Sequence, residues 1–222
     1  LIPQPDTEVL VEEVLEVLKQ KEGNKKNLDL CTGSGAIAIS IVKYAKNCNL
    51  YASDISKKAL KVAKKNAESN GVYDRIQFIE SDLFENISDL KVDYIVSNPP
   101  YIETSVVATL EPEVVSNEPN LALDGGEDGL DFYRRIVRES KNHLNKNGKL
   151  YFEIGYNQGD AVSNLLLNDF VDFLKIYIPV NGRMNKIFFA PIPELLISKG
   201  SISSEVESQT AISVPVVTIR PG

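Results

Sequence analysis

The chain has 222 residues, of which 43% are hydrophobic and 25% charged, and its formal net charge is −7. A chain of this size can bury a core without disulfide bridges, and no apolar run reaches the ~20 residues of a membrane-spanning helix. Nonspecific nucleic-acid binding depends on Lys and Arg, so the acidic balance favours a protein or small-molecule partner over direct contact with nucleic acid.

The two cysteines, Cys31 and Cys48, have no metal-ligand spacing, and we interpret them as reduced thiols of a cytoplasmic protein. We expect no metal site, no membrane contact and a monomer. Because the first residue is Leu1 rather than Met, we expect the chain to be a fragment of a longer protein.

Strands alternate with helices along most of the chain, after an amphipathic first helix over 6–20. Strands are predicted at 26–30, 48–54, 75–81, 92–98 and 148–155, helices at 35–46, 56–71 (N-cap Ser56), 129–143 and 158–168, and a closing hairpin at 170–180 and 185–193. Such alternation predicts an α/β fold with a mostly parallel, open sheet and helices on both faces. With the antiparallel hairpin the sheet would have seven strands. We expect a domain over 1–190 and a tail or linker over 191–222.

The first three predicted strands end in residues typical of a nucleoside site. "LDLCTGSGAIA" (28–38) places Gly33 and Gly35 in a turn where the backbone can approach a ligand closely. Asp54 ends the second strand, where a carboxylate can bind the hydroxyls of a ribose. After the third, Asp82 and Leu83 are candidates for the adenine amino group and ring. Since the glycines also fit the G-x-G-x-x-A fingerprint, a nicotinamide-dependent oxidoreductase remains open at this point.

"SNPPYI" (97–102) follows the fourth predicted strand and carries the candidate catalytic residues. The Asn98 side-chain oxygen and the Pro99 carbonyl are two acceptors that can bind the N–H groups of a planar nitrogen, and Tyr101 can stack on the planar group. Pro99 and Pro100 stiffen the segment, so catalysis would come from positioning and electrostatics. Methyl transfer to an amide or an aromatic amine uses such acceptors, whereas hydride transfer does not. The alternative is a rigid proline-rich turn that only docks a partner.

Five segments in this order, "LIPQPDTEVLVEEVL", "LDLCTGSGAIAIS", "SNPPYI", "EPNLALDGGEDGLDFYRRI" and "YFEIGYNQGDAV", resemble the catalytic domain of the peptide chain release factor glutamine N5-methyltransferases. The resemblance covers about residues 1 to 190 and implies a Rossmann-like class I S-adenosylmethionine-dependent fold. It implies a cytoplasmic enzyme whose protein substrate is a release factor. Adenine-N6 nucleic-acid methyltransferases share the N-P-P-Y segment and are the nearest alternative.

Carried over by position, the resemblance implies a substrate-glutamine site at Asn98, Pro99, Pro100 and Tyr101. The implied cofactor site comprises Cys31, Thr32, Gly33, Ser34, Gly35, Asp54, Asp82, Leu83 and Asn98, with Pro3 and Thr7 lying over the cofactor. Cys31 stands where the family usually has Gly, and Gln4 where it often has Arg. The family also has a helical domain ahead of the catalytic one, and we expect these 222 residues to lack it.

Two other groups of residues are candidates for chemistry. We interpret His143 as a surface histidine near the end of a helix. Glu111, Glu113 and Glu118 are interpreted as a solvated acidic surface rather than a metal site.

Overall fold

The computed structural model of the protein describes residues 5–20, 23–109, 122–169, 173–180 and 184–191. Pro3, Gln4, the three glutamates of 111–118 and the predicted tail beyond 191 lie outside these residues. Within the described ranges, every helix is too short or too polar to span a lipid bilayer.

Helices and strands alternate as the sequence pattern predicts. The helices are α1 (Pro5–Lys19), α2 (Ala36–Tyr44), α3 (Lys57–Ser69), a short α4 (Thr104–Val107), α5 (Asp131–Ser140) and α6 (Gly159–Asp169). The strands are β1 (Lys25–Leu30), β2 (Cys48–Asp54), β3 (Ile76–Glu80), β4 (Val92–Ser97), β5 (Leu144–Phe152), β6 (Phe173–Val180) and β7 (Met184–Pro191).

The first five strands form one parallel sheet in the order β3-β2-β1-β4-β5. The predicted open parallel sheet is therefore confirmed. The prediction of seven strands in the sheet is wrong, because β6 and β7 pair with each other in a separate two-stranded ladder.

Apolar side chains cover both faces of the sheet, as expected for parallel strands joined by crossover helices. On β4, Tyr94 and Val96 lie in the core cluster that includes α1 and α2, whereas Ile95 lies in the cluster that includes α5 and α6. The alternating side chains of one strand thus build two cores, and the sheet is held rigidly between them.

Element ends follow from local backbone chemistry. Ser56 accepts a hydrogen bond from the Ala59 N–H at 3.2 Å and so caps α3, as predicted. Strand β5 begins at Leu144 rather than at the predicted 148, because Leu144 already pairs with Val92 across a register shift. Asn147, within β5, has a left-handed backbone with φ of 65°.

His143 is buried, so its predicted surface position is wrong. Its side chain is only 6% exposed, and the ring stacks on Phe84 with 4.4 Å between ring centroids. Its Nδ1 lies 3.0 Å from the Leu90 carbonyl oxygen. The His143 carbonyl accepts from the N–H of Val92, at the start of β4 and thus at the edge opposite the carboxyl ends of the strands. His143 therefore has a packing role.

Candidate active site

The carboxyl ends of the parallel strands lie side by side. Leu30 of β1 is level with Ser53 of β2 and with Ser97 of β4, and Ser97 is level with Phe152 of β5. The strand order reverses between β1 and β4, since β2 and β3 lie on one side and β4 and β5 on the other. Ligands of open α/β sheets bind at such a switch point. Here it lies between the turn that begins at Cys31 and the segment that begins at Asn98.

The turn after β1 is unusually rich in left-handed backbone. Cys31, Gly33 and Gly35 have φ values of 58°, 56° and 82°. A β-carbon on Gly35 would lie 3.0 Å from the Ala63 Cβ on α3. Glycine at 35 is therefore required by its φ and by the approach of two helices, which is a different reason from the ligand approach that the sequence suggested.

Cys31 has a left-handed conformation that costs an L-residue about 1–2 kcal/mol. We therefore predict that the free energy of unfolding of Cys31→Gly exceeds that of Cys31→Ala by about 1 kcal/mol. At most positions Ala is the more stabilising of the two residues. Both variants lack the thiol, so their difference isolates the backbone strain. Urea unfolding measures it, and an Ala variant as stable as the Gly variant would contradict the strain.

The Cys31 thiol is not activated as a nucleophile. Burial raises its pKa, and the neighbouring Asp54 and Asp29 carboxylates raise it further. A thiol that keeps its proton is a poor nucleophile. Both cysteines are free thiols, as predicted. Cys31 therefore contributes backbone and packing to this turn.

Asp29, which no sequence motif indicated, holds the same turn by hydrogen bonds from within β1. Its Oδ2 accepts from the Thr32 hydroxyl at 2.6 Å and from the Ala38 N–H at 3.2 Å, while its Oδ1 is buried without a hydrogen-bond partner. Burial raises its pKa from 3.8 to about 7, although both hydrogen bonds favour the ionised form. The signal in the sequence was an acidic residue between two buried leucines.

The raised pKa of Asp29 predicts how stability depends on pH. The folded state keeps a proton on Asp29 that the unfolded chain releases, so this group lowers the free energy of unfolding as the pH rises from 3.8 to about 7. Asp29→Asn removes the titration. The free energy of unfolding of the variant, relative to that of the wild type, should therefore rise by a few kcal/mol between pH 5 and pH 8, at about 1.4 kcal/mol for each unit by which the pKa is raised.

Urea unfolding at the two pH values measures that gain. Asp89→Asn, the same change on an exposed side chain, serves as the control. Parallel pH curves for wild type and Asp29→Asn would contradict the assignment.

The acidic residues predicted to hold a nucleoside lie at the ends of β2 and β3. The Asp54 carboxylate accepts from the Gly33 N–H at 2.9 Å and from the Ser56 N–H at 2.8 Å, so it ties the β1 turn to its own strand end. A carboxylate has about four acceptor sites, and these two bonds leave two for a ligand.

Asp82 has a partner that the sequence did not reveal. Its Oδ1 lies 2.9 Å from the Arg135 guanidinium of α5. Leu83 follows with φ of 47° and a side chain only 4% exposed. Both predicted adenine contacts are thus at the expected strand end, with one carboxylate oxygen of Asp82 engaged by the protein.

The N-P-P-Y segment leaves β4 directly at the switch point. Pro99 and Pro100 are buried and Asn98 is partly buried. Within the described ranges, neither the Asn98 side chain nor the Pro99 carbonyl makes a hydrogen bond to the protein. Two acceptors on a rigid segment therefore remain available to a ligand, side by side with the glycine-rich turn.

Thr7 of α1 lies against the end of β5. Its hydroxyl donates to the Glu153 carboxylate at 2.8 Å, and both side chains are buried. The Glu153 N–H in turn donates to the Ser97 carbonyl at 3.0 Å, directly before Asn98. Thr7 was predicted to lie over the cofactor, and the structure shows what anchors it at the strand ends. Glu153 was missed because nothing marks it in "YFEIG" as more than a strand residue.

Among the residues that the structure describes, no three His, Cys, Asp or Glu side chains converge as a metal site would require.

The chain is similar in sequence to known methyltransferases. The chain matches the family model described as "Methyltransferase small domain" over residues 6–127. It is 47% identical over 171 residues to the release factor glutamine methyltransferase of Clostridium acetobutylicum, covering 76% of this chain and 60% of that protein. It is 40% identical over 193 residues to the release factor glutamine methyltransferase of Bacillus cereus, covering 85% and 68%. Thus the chain spans only about three fifths of the clostridial relative.

Two solved structures show the same architecture. The protein-(glutamine-N5) methyltransferase (release factor-specific) from Alicyclobacillus acidocaldarius has a TM-score of 0.52 at 28% identity, covering 86% of this chain and 95% of that one. The ribosomal protein L11 methylase from Lactobacillus delbrueckii has a TM-score of 0.56 at 23% identity, covering 82% and 75%, and shows the fold alone. The fold is the Rossmann-like α/β fold of class I S-adenosylmethionine-dependent methyltransferases.

Proposed function

Since the chain belongs to the release factor glutamine methyltransferase family, we propose that it methylates the side-chain nitrogen (N5) of a glutamine in a peptide chain release factor, with S-adenosylmethionine as the methyl donor. The observation that carries the proposal is the pair of available acceptors on Asn98 and Pro99. They lie at the switch point of the sheet, beside the turn that begins at Cys31.

The residues at the strand ends fit S-adenosylmethionine chemically. The left-handed turn over 31–35 brings bare backbone to the switch point, and Asp54 retains acceptor sites for the ribose hydroxyls. Asp82 and Leu83 stand at the next strand end for the adenine, and Thr7 closes the side nearest β5. When bound, the cofactor would supply a methyl group from its sulfonium sulfur. The rest of the cofactor would then leave as a neutral thioether.

The contribution of the N-P-P-Y segment is to make an amide nitrogen reactive. That nitrogen is a poor nucleophile because its lone pair is delocalised into the carbonyl group. When the Asn98 side-chain oxygen and the Pro99 carbonyl each accept one of its N–H groups, they orient it and return electron density to it. Tyr101 packs on the flat face of the amide. The nitrogen ends with a methyl group in place of one proton, and the proton goes to water.

Two rival functions use the same sheet edge. A nicotinamide-dependent oxidoreductase needs the glycine-rich turn and Asp54 but has no use for the two acceptors, and family membership argues against it. An adenine-N6 methyltransferase would use the same acceptors on a base. The relatives' names and the net charge of −7 favour a protein substrate.

The proposal is tested by two linked measurements. Calorimetric titration with S-adenosylhomocysteine and with NAD should show binding of the first only. Incubation with methyl-labelled S-adenosylmethionine should then label purified release factor and leave DNA and RNA unlabelled. Label on nucleic acid but not on release factor would reverse the choice of substrate.

The domain boundaries and the location follow from the same proposal. Residues 1–190 would form the catalytic unit, with 191–222 as a tail or linker. Because release factors act during translation, we place the enzyme in the cytoplasm with its substrate.

A further inference from the structure

The side chain of Gln158 joins three backbone segments at the active edge of the sheet. It lies just before α6 and is only 7% exposed. Its Nε2 donates to the Tyr101 carbonyl at 2.9 Å and to the Gly129 carbonyl at 3.2 Å, and its Oε1 accepts from the Gly155 N–H at 3.0 Å. Only this orientation of the amide matches all three partners, since the reverse would set an oxygen against two carbonyls.

The glycines around Gln158 allow their backbone to lie in close contact with Tyr101 and with Gln158 itself. A β-carbon on Gly125 would lie 2.7 Å from the Tyr101 Cα, and one on Gly155 would lie 2.8 Å from the Gln158 Oε1. A β-carbon on Gly129 would overlap the Tyr101 carbonyl and lie 2.5 Å from the Gln158 Nε2. The segment 125–129, whose "GGEDG" sequence carried only a family resemblance, is therefore packed directly against the end of the N-P-P-Y segment.

The N-P-P-Y segment needs anchors at its two ends because its middle has none of its own. Pro99 and Pro100 have no N–H to donate. Before them, the Ser97 hydroxyl donates to the Leu30 carbonyl at 2.9 Å and fixes the end of β4 to β1. After them, the Gln158 amide holds the Tyr101 carbonyl. Asn98 and the two prolines thus form a stiff bridge between Ser97 and Tyr101.

We propose that Gln158 is a positioning residue for methyl transfer. Through the Tyr101 carbonyl it fixes the far end of that bridge, and hence the Pro99 carbonyl relative to the Asn98 side chain. This inference rests on the proposed function, in which these two acceptors hold the two N–H groups of one amide nitrogen. Their spacing matters because a displacement of about 1 Å at a reacting group can cost on the order of 100-fold in rate.

The test compares Gln158→Met with the wild-type chain. Methionine keeps the length and apolar volume of glutamine and removes all three hydrogen bonds. We expect kcat for methylation of release factor to fall about 10- to 100-fold. The dissociation constant for S-adenosylhomocysteine should change less than about threefold, because the Gln158 side chain bonds to Tyr101, Gly129 and Gly155 rather than to the turn over 31–35 or Asp54. Gln77→Met, the same change on an exposed residue of β3, is the matched control.

Two further readouts separate positioning from general structural damage. The Gly155 amide should exchange its proton faster in Gln158→Met. In Gln158→Glu, assayed at a pH high enough to ionise the new carboxyl group, one oxygen can still accept that N–H while the other faces the Tyr101 and Gly129 carbonyls as a second acceptor. Gln158→Glu should therefore keep the Gly155 protection and still lose kcat, which also covers the case in which Gln158→Met does not fold.

Each outcome decides a different statement. No transfer by the wild-type chain to the release-factor glutamine would overturn the proposed function. Transfer by the wild type, with an unchanged kcat in a folded Gln158 variant, would overturn the positioning role alone. A loss of kcat accompanied by an equal loss of S-adenosylhomocysteine affinity would also contradict it, because the damage would then extend to the whole edge.

Discussion

Asn98→Ala is expected to lower kcat for glutamine methylation by about 100- to 1,000-fold, the range found when one preorganised polar group is removed from a reacting centre. The variant leaves the Pro99 carbonyl as the single acceptor, so the amide nitrogen is neither fully oriented nor fully polarised. The dissociation constant for S-adenosylhomocysteine should change by less than about threefold, because the turn over 31–35 and Asp54 are untouched. Single-turnover transfer of labelled methyl and calorimetry provide the two measurements.

The control for this prediction is Asn142→Ala, which removes the same amide from an exposed position just beyond α5. It should leave both constants unchanged. Full activity in Asn98→Ala would remove the basis of the proposed mechanism. A parallel collapse of cofactor binding would mean that Asn98 holds the cofactor or the fold of the edge rather than the amide of the substrate.

Asp54→Ala is expected to weaken S-adenosylhomocysteine binding by about 10- to 100-fold. Hydrogen bonds to a charged group contribute about 1.5–3 kcal/mol, and each 1.4 kcal/mol is a factor of ten in affinity. The substitution removes the proposed ribose acceptor. It also leaves the N–H groups of Gly33 and Ser56 without their partner, so the turn beside the cofactor loses its tie to β2.

The matched control is Glu80→Ala, an exposed acidic residue level with Asp54 on β3. Its affinity should equal that of the wild type. If Asp54→Ala bound S-adenosylhomocysteine normally, the ribose would have to be held elsewhere and the assignment of this strand end would be wrong.

The sequence predicted the sheet and its edge well because both depend on local patterns. Alternating strands and helices predict parallel pairing, and the ends of parallel strands must then meet at one edge. That is why the sequence could place Gly33, Asp54, Asp82 and Asn98 at one edge without knowledge of any contact. The prediction of a seven-stranded sheet was wrong because the hydrophobic pattern alone cannot say whether a hairpin joins the main sheet.

What the sequence did not predict depends on contacts between distant segments. Asp29, Glu153 and Gln158 lie within predicted strands or helices. Their contacts with the β1 turn, Thr7 and the N-P-P-Y segment appear only in the folded chain. His143 was misplaced for the same reason, since burial under Phe84 is a tertiary contact. Helix α5 also ends earlier than the pattern indicated, so His143 falls in the turn after it.

The measurement that tests the central claim most directly is methyl transfer to a single glutamine. The chain is incubated with methyl-labelled S-adenosylmethionine and either purified release factor or the same factor with its acceptor Gln→Ala, and the product is mapped by tandem mass spectrometry. We predict label on the glutamine side chain of the first factor and none on the second. Equal label on both, or bound S-adenosylhomocysteine without transfer to the intact factor, would contradict the account.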